Sequence, residues 1–172
     1  FVTLNITNGF TDNYYYGIRR FPYAVKTNVG GHGKPHNPLT YADIDPAQID
    51  VTDGAYPRGP IGSVTASEVH NIGEVWAMML LEARARVITR LGFAAGNSRM
   101  LQIVTDGMKL DATSPTLIQA RNSIRAADCS GFLGADEIDV GNGFAPRGGG
   151  VYTPPPGTAA VPRTSAPAPP HP

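Results

Sequence analysis

Apolar residues in the middle of the chain recur every three or four positions, a spacing that puts them on one face of a helix. In the longest such pattern these residues are Val69, Ile72, Trp76, Met79, Ala83 and Val87. Thr65 and Glu68 have the spacing of a capping box at its start, and Gly92 follows its last turn. The pattern therefore predicts a helix over Ala66–Leu91.

A second amphipathic pattern follows this helix. Leu101, Val104 and Met108 repeat at helical spacing within Ser98–Leu110, and they predict a second helix with these three side chains facing the core. Gly107 weakens this helix by about 1 kcal/mol relative to alanine.

Two further helices are predicted before the chain becomes rich in proline. Ser114 followed by Pro115 is typical of a capping residue and the first helical position. The inward-facing residues of this third helix are expected to be Leu117, Ala120, Ile124 and Ala127. A weaker fourth helix is expected from Ala135 to Phe144. Because no stretch alternates convincingly in the manner of strands, the predicted fold is mostly α, a helical bundle.

Glycine and proline divide the chain into three regions. Residues 1–65 are predicted to form a long, irregular and loop-rich N-terminal segment, because Gly and Pro interrupt any helical or strand spacing of apolar residues there. Residues 66–150 are predicted to form a helical subdomain. Residues 151–172 are expected to form a Pro-rich linker or tail, since runs of proline favour extended conformations that bury little surface.

Charge and composition exclude several classes of partner. The chain has 172 residues, with 14 Lys and Arg against 14 Asp and Glu, so no basic field is available to hold a phosphate backbone. We therefore expect no nucleic-acid partner. The longest strongly apolar run, Val75–Leu81, is far shorter than the ~20 residues of a membrane span. Cys129 is the single cysteine, which excludes an intrachain disulfide.

His70 is the candidate for chemistry, because it lies in the first turn of the longest predicted helix. Two interpretations are open at this point: a histidine that acts at a functional site, and a partly buried histidine that stabilises the fold. A metal site at His32 and His36 is not predicted, since Gly33 and Pro35 prevent a helix from aligning the two rings.

Several segments resemble one family in the same order along the chain. They resemble the C-terminal half of the catalytic domain of the fungalysin family, secreted zinc metalloendopeptidases related to thermolysin. The resemblance covers about residues 17 to 150, and the segments that carry it are Gly17–Arg19, Asn37–Tyr41, Glu68–Ala77, Ser114–Arg121 and Phe144–Gly148. It implies the C-terminal helical subdomain of a thermolysin-like metallopeptidase.

The resemblance implies roles for two residues. His70 matches the family histidine that donates a hydrogen bond to the oxyanion formed during peptide hydrolysis. Arg19 matches an arginine that binds a substrate backbone carbonyl, although packing of the loop onto the bundle is an alternative role for it. Asn71 and Glu74 are expected to support the site without a catalytic role.

The family's zinc motifs are absent from this sequence. Relatives bind zinc through His-Glu-x-x-His and a further Glu in Gly-Glu-Gly-Trp-Ser-Asp, and neither motif occurs here. Phe1–Ile6 resembles the stretch that follows the second motif. We therefore expect an N-terminal zinc-binding half of the same catalytic domain as a partner, zinc in the complete enzyme and none bound by this chain alone.

The implied function is part of a secreted, extracellular endopeptidase that acts on peptides or proteins and is inactive without its other half. A non-catalytic helical module for interaction or attachment is the alternative. Gly141 and Gly149 depart from the family, which has larger residues there. Pro146 is a further departure, and it is expected to end the last helix early.

Overall fold

The computed structural model describes residues 21, 23–25, 37–44 and 69–150. Helical structure dominates these ranges, and they contain no strand. The α-helices are α1 (Val69–Leu91), α2 (Phe93–Leu110), α3 (Leu117–Phe132) and α4 (Glu137–Phe144), with 3-10 turns at Tyr41–Ile44 and Ala145–Arg147. The prediction of a mostly α helical bundle is confirmed.

The junction between α1 and α2 is a single residue, Gly92. Its φ of 80° lies in the left-handed region, which glycine adopts without steric cost, and it ends α1 at Leu91 as predicted. The predicted start of α1 at Ala66, with its capping box, lies outside the described residues. The predicted start of α2 at Ser98 is wrong, because the chain re-enters a helix at Phe93, directly after Gly92.

The predicted inward face of α2 is also wrong. Leu101 and Met108 are 60% and 63% exposed, and Val104 is half-buried. The buried residues of α2 are Gly96, Met100, Ile103 and Gly107. Two of these are glycines, which allow neighbouring backbones to approach closely but carry no apolar side chain. The spacing of large apolar residues therefore predicts the wrong buried face for α2.

The N-terminal cap of α3 differs from the prediction by two residues. Thr116, not Ser114, caps the helix, and the Gln119 backbone N–H donates to Thr116 Oγ1 at 3.2 Å. The Thr116 N–H donates in return to Gln119 Oε1 at 2.9 Å, which completes a capping box. The predicted inward residues of α3 are confirmed, with Ile124 and Ala127 buried and Leu117 and Ala120 half-buried.

The last helix, α4, is shorter than predicted at its start. It begins at Glu137 instead of Ala135, because Leu133 and Gly134 adopt positive φ angles and form a turn after α3. It ends at Phe144 and continues as a 3-10 turn that contains Pro146. The expected early end of this helix is therefore confirmed, since proline cannot supply the backbone N–H that an α-helix needs.

Helix α1 forms the centre of the core and packs against both α2 and α4. Its buried apolar residues include Val75, Met78, Met79, Ala83 and Val87, whereas Val69, predicted to face inward, is 71% exposed. Against α4, Gly143 packs so closely that an added Cβ would lie 2.2 Å from Ala83 Cα. This contact sets the distance between α1 and α4.

An ion-pair network around one buried carboxylate joins the other ends of these helices. Asp136, fully buried just before α4, accepts from Arg90 of α1 and from Arg99 of α2, the latter at 2.7 Å. Asp128 of α3 is also fully buried, and its Oδ2 accepts the Asp136 backbone N–H at 3.1 Å. Burial raises the pKa of Asp128 above its ordinary value, and the nearby Asp136 carboxylate adds to this shift.

Replacing Gly143 with alanine should destabilise the protein by about 1–3 kcal/mol or more, because the new methyl group overlaps the Ala83 backbone. Gly141→Ala is the matched control in the same helix, since nothing lies within 4 Å of its added Cβ. It should be neutral or stabilising by up to about 1 kcal/mol. Urea denaturation measures both, and equal effects would contradict the close contact.

Asp128→Asn should make the protein more stable relative to the wild type as the pH rises. The folded protein holds the Asp128 proton more tightly than the unfolded chain, so wild-type stability falls as the pH rises from 3.8 through the folded-state pKa. Asparagine mimics the neutral acid and removes this loss. Denaturation at several pH values measures the difference in the free energy of unfolding between the two proteins.

The control for this measurement is Asp106→Asn. A hydrogen bond from Gln102, assisted by Lys109, lowers the pKa of Asp106, so the same comparison should show the opposite trend with pH. Parallel trends for the two variants would contradict the assignment for Asp128.

Candidate functional site

His70 lies in the first turn of α1, and its side chain is exposed. The neighbouring Val69 and Gly73 are exposed as well, and an added Cβ on Gly73 would meet nothing within 4 Å. The end of α1 is therefore accessible to a ligand in the described structure. His70 is therefore not one of the buried core residues of the described structure.

Glu74 lies one turn further along α1 and is buried. Its Oε1 accepts the backbone N–H of Phe21 at 2.8 Å and the Asn37 side-chain amide at 3.3 Å. Phe21 and Asn37 are themselves buried. Glu74 thus fixes two separate parts of the N-terminal segment to the helix that carries His70, which agrees with its expected supporting role.

Asn37 organises the short segment that follows it. Its Oδ1 accepts the backbone N–H of Leu39 at 2.9 Å, an Asx-type contact that turns the chain. Thr40 then donates from its backbone N–H to Asp43 Oδ2 at 2.7 Å and stabilises the 3-10 turn. Leu39 and Tyr41 consequently point into the core.

Arg147, which follows α4, also binds the segment that begins at Asn37. Its Nη1 donates to the backbone carbonyls of Asn37 and Leu39 at 2.6 and 2.9 Å. Its Nη2 donates to Glu82 Oε1 of α1 at 2.9 Å, and the arginine is almost fully buried. The guanidinium group therefore links the N-terminal segment, α1 and the end of the helical bundle.

Arg121 likewise binds backbone carbonyls, in the residues that follow the 3-10 turn at Ala145–Arg147. Its Nη1 donates to the carbonyl oxygen of Gly149 at 2.9 Å and also to that of Gly150. Burial lowers the pKa of Arg121, and Arg125 contributes to the same shift. Burial likewise raises the pKa of Tyr41, and the positive charge of Arg121 opposes this. Tyr41 and Arg121 therefore interact electrostatically.

The structure brings together four of the segments that carry the family resemblance, and their buried polar residues are Asn37, Glu74, Arg121 and Arg147. Sequence reasoning did not identify Asn37, Arg121 and Arg147 as structural anchors. The feature of the sequence that could have indicated this role is that each of the three residues lies in a family-like motif, beside apolar or glycine residues. Arg19 lies outside the described residues, as does the side chain of Asn71.

The described part of the chain does not fit a zinc site. Within it, no three His, Cys, Asp or Glu side chains cluster closely enough to hold a metal ion. His32 and His36 lie outside the described residues. Among the helices described, none is long and apolar enough to cross a membrane.

Most of the amino-acid sequence matches one protein family. The model of the family described as fungalysin metallopeptidase (M36) matches residues 4–153. The chain belongs to this family. The matched range includes all four helices of the described residues, and the resemblance noted in the sequence is confirmed.

Similar proteins include fungal extracellular metalloproteinases. The probable extracellular metalloproteinase 1 of Arthroderma benhamiae is 29% identical over 159 residues, which cover 85% of this chain and 21% of that protein. The extracellular metalloproteinase mep of Aspergillus niger is 29% identical over 160 residues, with the same coverage of each chain. This fungalysin chain therefore spans about a fifth of the length of these relatives.

The isolated 172-residue fungalysin chain should bind no stoichiometric zinc. Zinc ligands must converge in a fixed geometry, and neither family zinc motif is present in the sequence. Elemental analysis of the purified chain after dialysis measures the metal content. Tight binding of one zinc ion per chain would contradict this expectation, and replacement of His32 and His36 would then test whether they are the ligands.

Proposed function

We propose that this chain forms the C-terminal helical part of the catalytic domain of a fungalysin-type zinc metalloendopeptidase, and that His70 is its oxyanion-stabilising residue. The observation that carries the proposal is the position of His70. It is exposed on the first turn of α1, while Glu74, one turn later, anchors the helix in the core. An exposed side chain on a fixed helix end suits a donor that meets substrate.

The chemistry explains why a histidine belongs there. Attack on a peptide carbonyl moves negative charge onto its oxygen, and a donor already in place stabilises that charge without reorganisation. One such donor contributes on the order of 3 kcal/mol to the transition state. The imidazole N–H of His70 supplies this hydrogen bond to the developing oxyanion.

Arg19 is proposed to bind a backbone carbonyl of the substrate beside the scissile bond. Support comes from its place in the chain, because Phe21, two residues later, is hydrogen-bonded to Glu74 on the helix that carries His70. A guanidinium group carries several N–H donors in a fixed plane, which suits it to carbonyl oxygens.

The remaining parts of the peptidase belong to the zinc-binding half of the same catalytic domain. That half supplies the zinc ligands and the general base, and this chain supplies one wall of the cleft for peptide or protein substrates. The chain alone is therefore inactive. Secretion is proposed because the similar fungal proteins are named extracellular metalloproteinases.

A non-catalytic interaction module is the second candidate function. The observation that favours it is the exposed apolar side of α2, where Leu101 and Met108 lie at the surface. Large exposed apolar side chains near one another mark contact surfaces in many proteins. The kinetic experiment on His70 distinguishes the two functions, since a module needs no histidine for turnover.

In the complete peptidase, His70→Ala should lower kcat by roughly 100- to 1,000-fold. KM, zinc content and melting temperature should change little, because the lost hydrogen bond forms fully only to the oxyanion. Steady-state kinetics on a peptide substrate, with calorimetry and metal analysis of the same samples, measure all four quantities.

His70→Gln is the matched control, since its amide N–H retains a donor and should recover part of the lost turnover. Replacement of Arg19 with alanine should instead raise KM more than it lowers kcat, because a substrate carbonyl is bound in both the ground and transition states. A His70→Ala enzyme that melts early but keeps its turnover would contradict the catalytic role and leave a structural one.

A further inference from the structure

We propose that Glu74 is a positioning residue for His70, an inference that rests on the proposed function. Its carboxylate binds Phe21 and Asn37 of the N-terminal segment and so fixes the N-terminal end of α1. This contact holds the imidazole of His70 in place. Glu74 therefore affects turnover through His70, in addition to its structural role in the core.

The burial pattern along α1 points to this role. Among the described side chains at the start of the helix, Val69, His70 and Gly73 are exposed, and Ile72 is half-buried. Glu74 is the first that is buried. The first turn of a helix also lacks the intrahelical partners of its leading N–H groups, so its order depends on contacts with the rest of the protein. Glu74 supplies two such contacts, its hydrogen bonds to Phe21 and Asn37.

The helical backbone connects Glu74 directly to His70. In an α-helix the N–H of each residue pairs with the carbonyl of the residue four positions earlier, and His70 and Glu74 have this separation. Fixing the Glu74 side chain therefore restrains the peptide unit of His70. The restraint acts from two sides, because Glu74 Oε1 accepts from both Phe21 and Asn37.

A charged side chain at position 74 fixes the direction of its contacts, which an apolar side chain would not do. The positions of α1 that follow in the core are filled by Val75, Met78 and Met79. Filling position 74 with an apolar side chain would avoid the cost of removing a carboxylate from water. An apolar side chain would not, however, fix the direction of its contact. A carboxylate with two donors at 2.8 and 3.3 Å holds the helix in one rotation and one register.

The test is a double-mutant cycle in the complete peptidase with Glu74→Ala and His70→Ala. Glu74→Ala should lower kcat by about 10- to 100-fold in the wild-type background, the loss expected from a misplaced catalytic group. In the His70→Ala background the same substitution should change kcat by less than about 2-fold, because the group it positions is gone. Turnover is measured per folded molecule, well below the melting temperature.

Two further variants keep the test decisive if Glu74→Ala does not fold. Glu74→Gln retains an oxygen that accepts from Phe21, and it should stay within about 5-fold of the wild-type kcat. Asn37→Asp keeps the acceptor for Leu39 but replaces the donor to Glu74 with a like charge. It should lower kcat by about 3- to 10-fold, and only when His70 is present.

Glu137→Ala is the control for general destabilisation. Glu137 pairs with Arg125 between α3 and α4, away from the start of α1, so its loss should lower the melting temperature and leave kcat unchanged. The inference is overturned if Glu74→Ala behaves like this control, or if it lowers kcat equally with and without His70. If His70→Ala itself retains full turnover, the proposed function fails, which is a different result.

Discussion

The described residues of the N-terminal segment, 21, 23–25 and 37–44, include buried positions whose backbone N–H and C=O groups need hydrogen-bond partners. Charged side chains from the bundle satisfy this requirement. Glu74 accepts the N–H of Phe21, and Arg147 donates to the carbonyls of Asn37 and Leu39. Glu74, Arg121 and Arg147 are buried, and each forms hydrogen bonds with backbone groups of a neighbouring segment.

Features of this fold that depend on local sequence could be predicted, and features that depend on contacts between distant segments could not. Helix positions and the fold class follow from apolar spacing and from Gly92, because these signals are local. The buried face of α2 does not follow, since it depends on Gly96 and Gly107, whose backbones approach other helices closely. Contacts such as that between Arg147 and Asn37 join residues 110 positions apart, and no local pattern encodes them.

For the candidate site, the sequence placed His70 at the start of a helix and the structure agrees. It assigned Glu74 a supporting role but did not identify its partners, because those lie on segments without any periodic pattern. Arg121 and Arg147 stood out only as members of family-like motifs. Both arginines bind backbone carbonyls of other segments, so membership of a motif alone does not distinguish a structural anchor from a residue that contacts substrate.

The distance along the chain between Arg147 and the segment it holds has a consequence for folding during synthesis. Asn37 leaves the ribosome 110 residues before Arg147 does. At the usual rates of translation this interval is about 5 to 20 s. Throughout it, the carbonyls of Asn37 and Leu39 have no guanidinium group to bind, and Leu39 and Tyr41 have no completed core to enter. Residues 37–39 therefore acquire their contacts with Arg147 only after Ala145–Arg147 has been made, late in the synthesis of the described part of the chain.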